Sequence, residues 1–344
     1  MWEYRNMSTE TKKMTMADIA SLAGVAKSTV SRYFNGGYVK EETKDRIRNI
    51  VEKTGFEPSA AAQNLKLKKT KTVGIVVPTL TSDVSSREIM AMDDELKKAG
   101  YTSIIINTSH DPQREIEAIE YLRSMRTDGI ILIATNINED HQRLQRESSV
   151  PFLVMGQRFS QGTSVVYDDE GAGHLVGKVI RDLGHKKVAY LGVDESDEAV
   201  GKIRKKAVLE GLGFEDGSGR VDVYETSFEF EDALKAADEI LDHGGYSAII
   251  CATDRMALAC HRQISTRRLK IPQDISLISF GGYEISQMIT PPLTTVRFDA
   301  RTAGKICART LIAMTEKEPV PSMQLIGFTL SQGQSVADRR REQD

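Results

Sequence analysis

The sequence predicts a small all-α helix-turn-helix head and an α/β body of two doubly wound, parallel-sheet lobes. Three observations predict it. Charge is divided, with a net +6 on residues 1–72 and −9 on the remainder. From Val73 onward, apolar runs of strand length recur at intervals. Between them lie amphipathic segments that stop at glycine. The chain has 344 residues, more than one ordinary domain holds. Its 40% hydrophobic and 28% charged residues argue against a largely disordered chain. Three scattered cysteines, Cys251, Cys260 and Cys307, make neither a disulfide framework nor a zinc knuckle. No apolar run approaches a membrane span, and residues 1–14 lack the apolar core of a signal peptide. The expected setting is the cytoplasm, with no membrane partner.

Residues 1–14 read as a flexible tail. Residues 15–56 are short and helix-rich. Met16–Asn35 reads as two short helices joined by a tight turn at Gly24, where glycine supplies the permissive backbone. Ile19 and Leu22 are expected on the packed face of the first helix, and Val30 with Tyr33 or Phe34 on that of the second. This is helix-turn-helix spacing, whose second helix enters the major groove of double-stranded DNA. Lys27, Ser28 and Arg32 can offer donors to base edges, and arginine on guanine is the commonest such contact. Thr29 and Ser31 have short hydroxyls suited to phosphates, and Asn35 suits a cap or a backbone contact. The competing reading is a helical hairpin from an unrelated bundle. Thr43–Thr54 supplies a third helix, with Ile47, Ile50 and Val51 packing under the first two. Residues 57–71 form a linker with a short helical stretch.

The body, residues 72–337, begins at the first apolar run. Strands are predicted at Val73–Pro78, Thr102–Asn107, Gly129–Ala134, Pro151–Met155, Lys187–Gly192, Val221–Thr226, Ala248–Thr253 and Ile275–Phe280. Their Val/Ile/Leu content implies burial on both faces and parallel pairing. Helices at Ser86–Ala99, Gly171–Leu183 and Glu231–His243 end at Gly100, Gly184 and Gly244. So long a series exceeds a single core, so two lobes are expected. Lobe 1 takes residues near 72–168 and 297–325, and lobe 2 those near 169–296 and 326–337. Ligands of such folds bind at the carboxyl ends of the strands, which predicts a small-molecule cleft. Residues 338–344 form a charged tail without leucine heptads, so no coiled-coil tetramerisation is expected.

TMADIASLAGVAKSTVSRYFNGG with ETKDRIRNIVEKTGFEPSAAAQNLK resembles the LacI/GalR family of bacterial transcription regulators. The resemblance continues through DLGHKKVAYLG, ATDRMALAC, IPQDISLISFGG and PPLTTVRFD in family order. It implies a helix-turn-helix, a hinge helix, and a two-lobed effector domain like the periplasmic sugar-binding proteins. It further implies homodimers on palindromic operators, most of them repressors that answer to a sugar or another small metabolite. Pro58–Leu65 matches the hinge helix, with Leu65 on the leucine that wedges into the minor groove. Ala61 and Ala62 suit close packing of paired hinges. Without the resemblance, the favoured reading of this segment is a flexible linker carrying one leucine.

For the effector, the resemblance places Arg204 on an arginine that holds ligand hydroxyls. Asp254 falls on a near-standard aspartate that organises the loop and helix start and is counted with the effector site, with Thr253 where many sugar binders have asparagine. Two expected carboxylates are replaced, one by Gly281-Gly282 and one by Gly156. Phe298 stands where some members place a polar group. Phe280, Tyr283 and Phe298 can instead stack on the apolar face of a mono- or disaccharide. Asp83, Gln157, Arg158, Asp168 and Arg204 supply polar contacts. A larger saccharide is expected to fill the space at the glycines.

No nucleophile elbow, P-loop, HExxH or dinucleotide fingerprint is present, and the six histidines lack ligand spacing. No enzyme activity, metal or cofactor is expected. The competing classes are a transporter's solute-binding protein, a sugar-modifying enzyme with an appended head, and a corepressor-type regulator answering to a non-sugar metabolite.

Overall fold

The structure, a computed structural model, describes residues 14–34, 36–56 and 69–340. It divides into two compact units, Met1–Thr70 and Lys71–Asp344.

In the first unit, α1 spans Met16–Ala23, α2 Lys27–Phe34 and α3 Glu41–Thr54. Thr15 starts α1 through a reciprocal capping box with Asp18, which satisfies two otherwise orphaned amides. Gly24 ends it in the left-handed region at φ 64°. Ile19, Ala20, Ala23, Val30, Ile47 and Phe56 form the core, with Tyr33 and Phe34 both packed beside them. Leu22 departs from expectation: it is 60% exposed. The buried stripe runs through Ile19, Ala20 and Ala23. Leu22 falls on the side of Ile19 away from both alanines, beyond the reach of α3.

The second unit holds two six-stranded sheets. The first contains β1 (Thr72–Val77), β2 (Thr102–Asn107), β3 (Gly129–Ile133), β4 (Phe152–Met155), β5 (Thr163–Tyr167) and β11 (Met323–Ile326). The second contains β6 (Lys187–Gly192), β7 (Arg220–Glu225), β8 (Ala248–Cys251), β9 (Ser276–Gly281), β10 (Thr294–Phe298) and β12 (Phe328–Ser331). Their orders are β11-β5-β4-β3-β1-β2 and β12-β10-β9-β8-β6-β7, the same topology twice. Every pair is parallel except β10–β12, so the second lobe is mixed rather than wholly parallel.

Helices cover both faces of the first sheet. Val73, Ile75 and Val77 of β1 pack against α4 (Asp83–Lys98) and α12 (Ala300–Thr315). Val76 packs the other way, against α5 (Pro112–Ser124) and α6 (Glu139–Glu147). In the second lobe, α7 (Asp169–Asp182) packs on α8 (Lys205–Leu212), and α9 (Phe230–His243) on α10 (Asp254–Thr266). A π-helical segment, Glu198–Arg204, leads into α8, and the short α11 covers Glu284–Met288. The chain passes between lobes after β5, after β10 and between β11 and β12. Because β10 runs to Phe298, the second sheet extends past residue 296.

The α7–α8 crossing depends on missing side chains. A Cβ at Gly177 would lie 2.3 Å from the Val208 carbonyl oxygen and 2.7 Å from the Leu212 nitrogen. Both obstacles are backbone and cannot rotate away. Gly177→Ala is therefore expected to destabilise the body by about 1–3 kcal/mol. Urea unfolding checks this, and an unchanged midpoint would mean that the two helices separate without cost.

Candidate functional site

The first candidate is the exposed face of α2. Val30 pins the helix to the core, which leaves Lys27, Ser28 and Arg32 exposed and Thr29 and Ser31 half-buried. Positions 27, 28, 31 and 32 form one contiguous strip on a helix. No acidic residue lies in the first turn of α2, and Arg32 sits in its last. The chain folds back so that the Gly37 amide donates to the Arg32 carbonyl at 2.9 Å. A Cβ on Gly37 would sit 3.3 Å from the Arg32 stem, so glycine lets the two lie close. Among the described residues nothing holds the Arg32 guanidinium. Asn35, Ala62 and Leu65 lie outside the described residues.

The second candidate is a cleft of about 190 Å³ between the lobes of the body. In both sheets the order reverses beside the first strand, between β1 and β3 and between β6 and β8. Loops after β1, β3, β6 and β8 diverge there and open the crevice. Their residues line it: Pro78 and Thr79, Ala134 and Thr135, Asp197 and Ala199, and Thr253.

Arg204 is its centre. The side chain is buried, with Nε and one terminal nitrogen on Asp169 Oδ1 at 2.8 and 2.5 Å. The other terminal nitrogen donates to the Ala252 carbonyl at 2.6 Å. The guanidinium also lies 4.9 Å from the Phe280 ring centre and 5.5 Å from that of Phe298. Burial opposes its charge, but Asp169 reinforces it and holds its pKa above the usual value. Burial raises the Asp169 carboxyl, with Arg204 pulling it back down. This part of the cleft wall is thus one fixed ion pair between aromatic rings.

Contacts join the lobes across the cleft. The Gln157 amide, which donates to the Thr135 carbonyl of its own lobe at 2.7 Å, also donates across to Asp197 Oδ1 at 3.2 Å. Arg255 donates to the Thr81 carbonyl at 2.7 Å. Tyr167 and Phe298 meet with ring centres 4.8 Å apart, and His110 stacks on Phe228 at 6.4 Å.

Of the residues expected here, Gln157, Arg204, Thr253, Phe280, Tyr283 and Phe298 line the cleft. Four do not. Asp83 lies in the first turn of α4, paired with Arg87 at 3.0 Å, where the helix start directs it away. Arg158 is exposed and 3.8 Å from Glu170. Asp168 caps α7 by accepting from the Gly171 amide, and this turns its neighbour Asp169 inward instead. Asp254 is wholly buried. It accepts from Ser279, Thr295, Ser286 and the Tyr283 amide, and so holds the ends of β9 and β10 and the start of α11.

Gly156 and Gly281 both line the cleft; the room for a side chain is taken at Gly281-Gly282, while at Gly156 a Cβ would meet only the Ala134 carbonyl oxygen, at 3.3 Å. A Cβ on Gly281 would lie 2.7 Å from the Tyr283 ring, and one on Gly282 2.6 Å from the Arg297 stem. Glu88, Asp169, Asp197, His110 and Phe228 line the cleft without having been expected. For Glu88 a signal existed: it shares the apolar stripe of α4 with Ser85, Ile89, Met92 and Leu96.

Residues 15–59 match the lacI family of bacterial regulatory proteins, and residues 178–336 match a periplasmic binding protein-like domain. The sucrose operon repressor of Staphylococcus xylosus is 30% identical over 312 residues, which cover 90% of this chain and 97% of that protein. The HTH-type transcriptional repressor PurR of Vibrio vulnificus is 31% identical over 304 residues, covering 85% and 89%. The Lac repressor dimer bound to operator and the anti-inducer ONPF has the same fold, with TM-score 0.87 and 22% identity over 95% of this chain and 100% of that one. No helix among the described residues is long and apolar enough to cross a membrane. With relatives this similar along nearly their whole length, the chain belongs to the lacI family of bacterial regulatory proteins and is a DNA-binding transcriptional repressor, not an enzyme.

Proposed function

We propose that this repressor controls carbohydrate-utilisation genes in the cytoplasm and leaves its operator when a small sugar fills the cleft. It acts as a homodimer on a palindromic site. The strip Lys27, Ser28, Thr29, Ser31 and Arg32, with Asn35, reads each half-site. Ala62 packs the paired hinges, and Leu65 wedges between central base pairs. The observation that carries the sugar reading is the pairing of aromatic faces with acceptors. Tyr283, with the small part of Phe280 and Phe298 that Arg204 leaves facing the cleft, offers apolar surface beside the carboxylates of Asp169 and Asp197. A pyranose needs both, an apolar face to stack and hydroxyls to donate. The likeness to a sucrose operon repressor supports the same reading.

Release follows from linkage. A ligand that touches both lobes favours one angle between them. If DNA holds the other, each weakens the binding of its rival by the same factor. The test is a gel shift on a palindrome upstream of the operon, with and without a panel of mono- and disaccharides. A thermal-shift screen accompanies it. A true ligand at 100 times its dissociation constant adds about 2.7 kcal/mol of stability. The reading fails if no sugar raises the melting temperature while a non-sugar metabolite does.

Gly156 and Gly281-Gly282, standing where sugar-holding carboxylates were expected, favour a second reading, a corepressor-type regulator answering to a non-sugar metabolite. Its sign is opposite: the ligand would tighten the operator complex.

A further inference from the structure

The charges around the cleft do not balance. Four carboxyls line it: Glu88, Asp169, Asp197 and Glu229. So do two guanidiniums, and both are engaged, Arg204 by Asp169 and Arg255 with Glu229 at 3.8 Å. His110 lies against Phe228. Among the described residues, Glu88 and Asp197 have no cation of their own, yet both are buried. Asp197 Oδ1 accepts from the Val200 amide and from Gln157. Glu88 Oε1 accepts from the Tyr167 hydroxyl at 2.5 Å. Gln157 Oε1 is also buried and accepts from nothing among the described residues.

The groups facing Glu88 cannot neutralise it. Tyr167 on β5 and Cys307 on α12 are both held in their neutral forms by burial. Arg87, its neighbour on α4, is turned to Asp83. The cleft therefore offers more acceptors and more negative charge than the protein uses. A buried acceptor left orphaned, as Gln157 Oε1 is, is costly, and a ligand that satisfies it gains that cost as affinity.

We propose that the effector is an amino sugar in class: a small polyol whose protonated amine docks on Glu88 while its hydroxyls reach Asp197 and Gln157. This rests on the sugar reading above and narrows it. A neutral sugar supplies donors but leaves the Glu88 charge unmatched. An ammonium supplies both donor and charge.

Proton linkage gives an independent handle. Desolvation by burial raises Glu88 to about 7, although the Tyr167 hydrogen bond lowers it. Because its folded pKa lies above the unfolded one, stability without ligand falls as pH rises from about 4.5 to about 7, and the deficit is complete above that. An arriving ammonium favours the carboxylate. Amine binding near neutrality should therefore expel up to about half a proton from Glu88, less what the free amine takes up in becoming an ammonium, and binding of a neutral sugar should expel fewer.

The experiment is calorimetric titration of the full chain with D-glucosamine against D-glucose, D-galactosamine against D-galactose, and neutral disaccharides. Two buffers of different ionisation enthalpy count the protons. The expected result is an amine sugar that binds about tenfold or more tighter than its neutral parent, with proton release. In Glu88→Gln, which keeps an acceptor for Tyr167, both the preference and the release should vanish. Melting curves confirm that this variant folds, and the wild-type proton count stands without it. Equal or weaker binding of the amines, beside neutral sugars that do bind, overturns this assignment and leaves the sugar reading intact. Binding of no sugar of either kind overturns both.

Discussion

Arg204→Met should abolish ligand binding and lower the stability of the body, while the repressor stays on its operator whatever sugar is added. The stability loss should be about 3–5 kcal/mol, because the change leaves the buried Asp169 carboxylate without its cation. Methionine fills much of the same space between Phe280 and Phe298, so the loss reports charge more than volume. The Ala252 carbonyl also loses its donor. Urea unfolding measures the first effect and calorimetry the second. Adding Asp169→Asn removes the stranded charge. The double variant should regain most of the stability but none of the binding, since both halves of the ligand-facing pair are gone. Recovery of binding in the double variant would show that the ion pair shapes the loop without touching ligand.

The sequence announced most of the framework through long, strongly apolar strands. All eight predicted strands form, with ends within a few residues. Four others went unseen. TSVVY and TTVRF, now β5 and β10, are half polar and follow irregular segments, so they read as loop. MQLI and FTLS, β11 and β12, are four-residue edge strands, and β11 carries the exposed apolar side chains Met323 and Leu325. Their pairing is decided by chain passages between lobes, which no local pattern records.

The cleft was legible where chemistry is bulky and unambiguous, as at Arg204, Phe280 and Phe298. It was not legible where one helical turn decides direction. Asp168 and Asp169 are adjacent and chemically identical. Only the cap at the start of α7 determines that Asp168 holds an amide and Asp169 meets Arg204. Asp254 shows a second limit. Strand ends that converge in space claim all its acceptor capacity, so the organising role the resemblance implied for it holds and no acceptor is left for a ligand. On the head, single-residue geometry again decides, as Leu22 demonstrates by facing outward beside a buried Ile19.

Arg32→Ala carries the other large effect, and it falls on the other unit. Among the described residues the Arg32 side chain makes no hydrogen bond or ion pair, and alanine is the best helix former. The head should therefore fold unchanged. What is lost is base reading. A bidentate arginine–guanine pair discriminates by about 1–3 kcal/mol. Two heads on a palindrome double this to about 2–6 kcal/mol, if the half-sites act independently. Binding to random-sequence DNA should fall far less, because other cations on this basic head supply the non-specific attraction. Lys27→Ala gives the contrast if Lys27 serves chiefly as a charge. It should weaken operator and random DNA together and reduce the salt slope by about one. Filter binding at several salt concentrations separates the two patterns. Equal losses on both DNAs for Arg32→Ala would place its guanidinium on phosphate rather than on a base. A parallel drop in sugar affinity, in a variant that still melts like the wild type, would show that head and body do not act as separate modules.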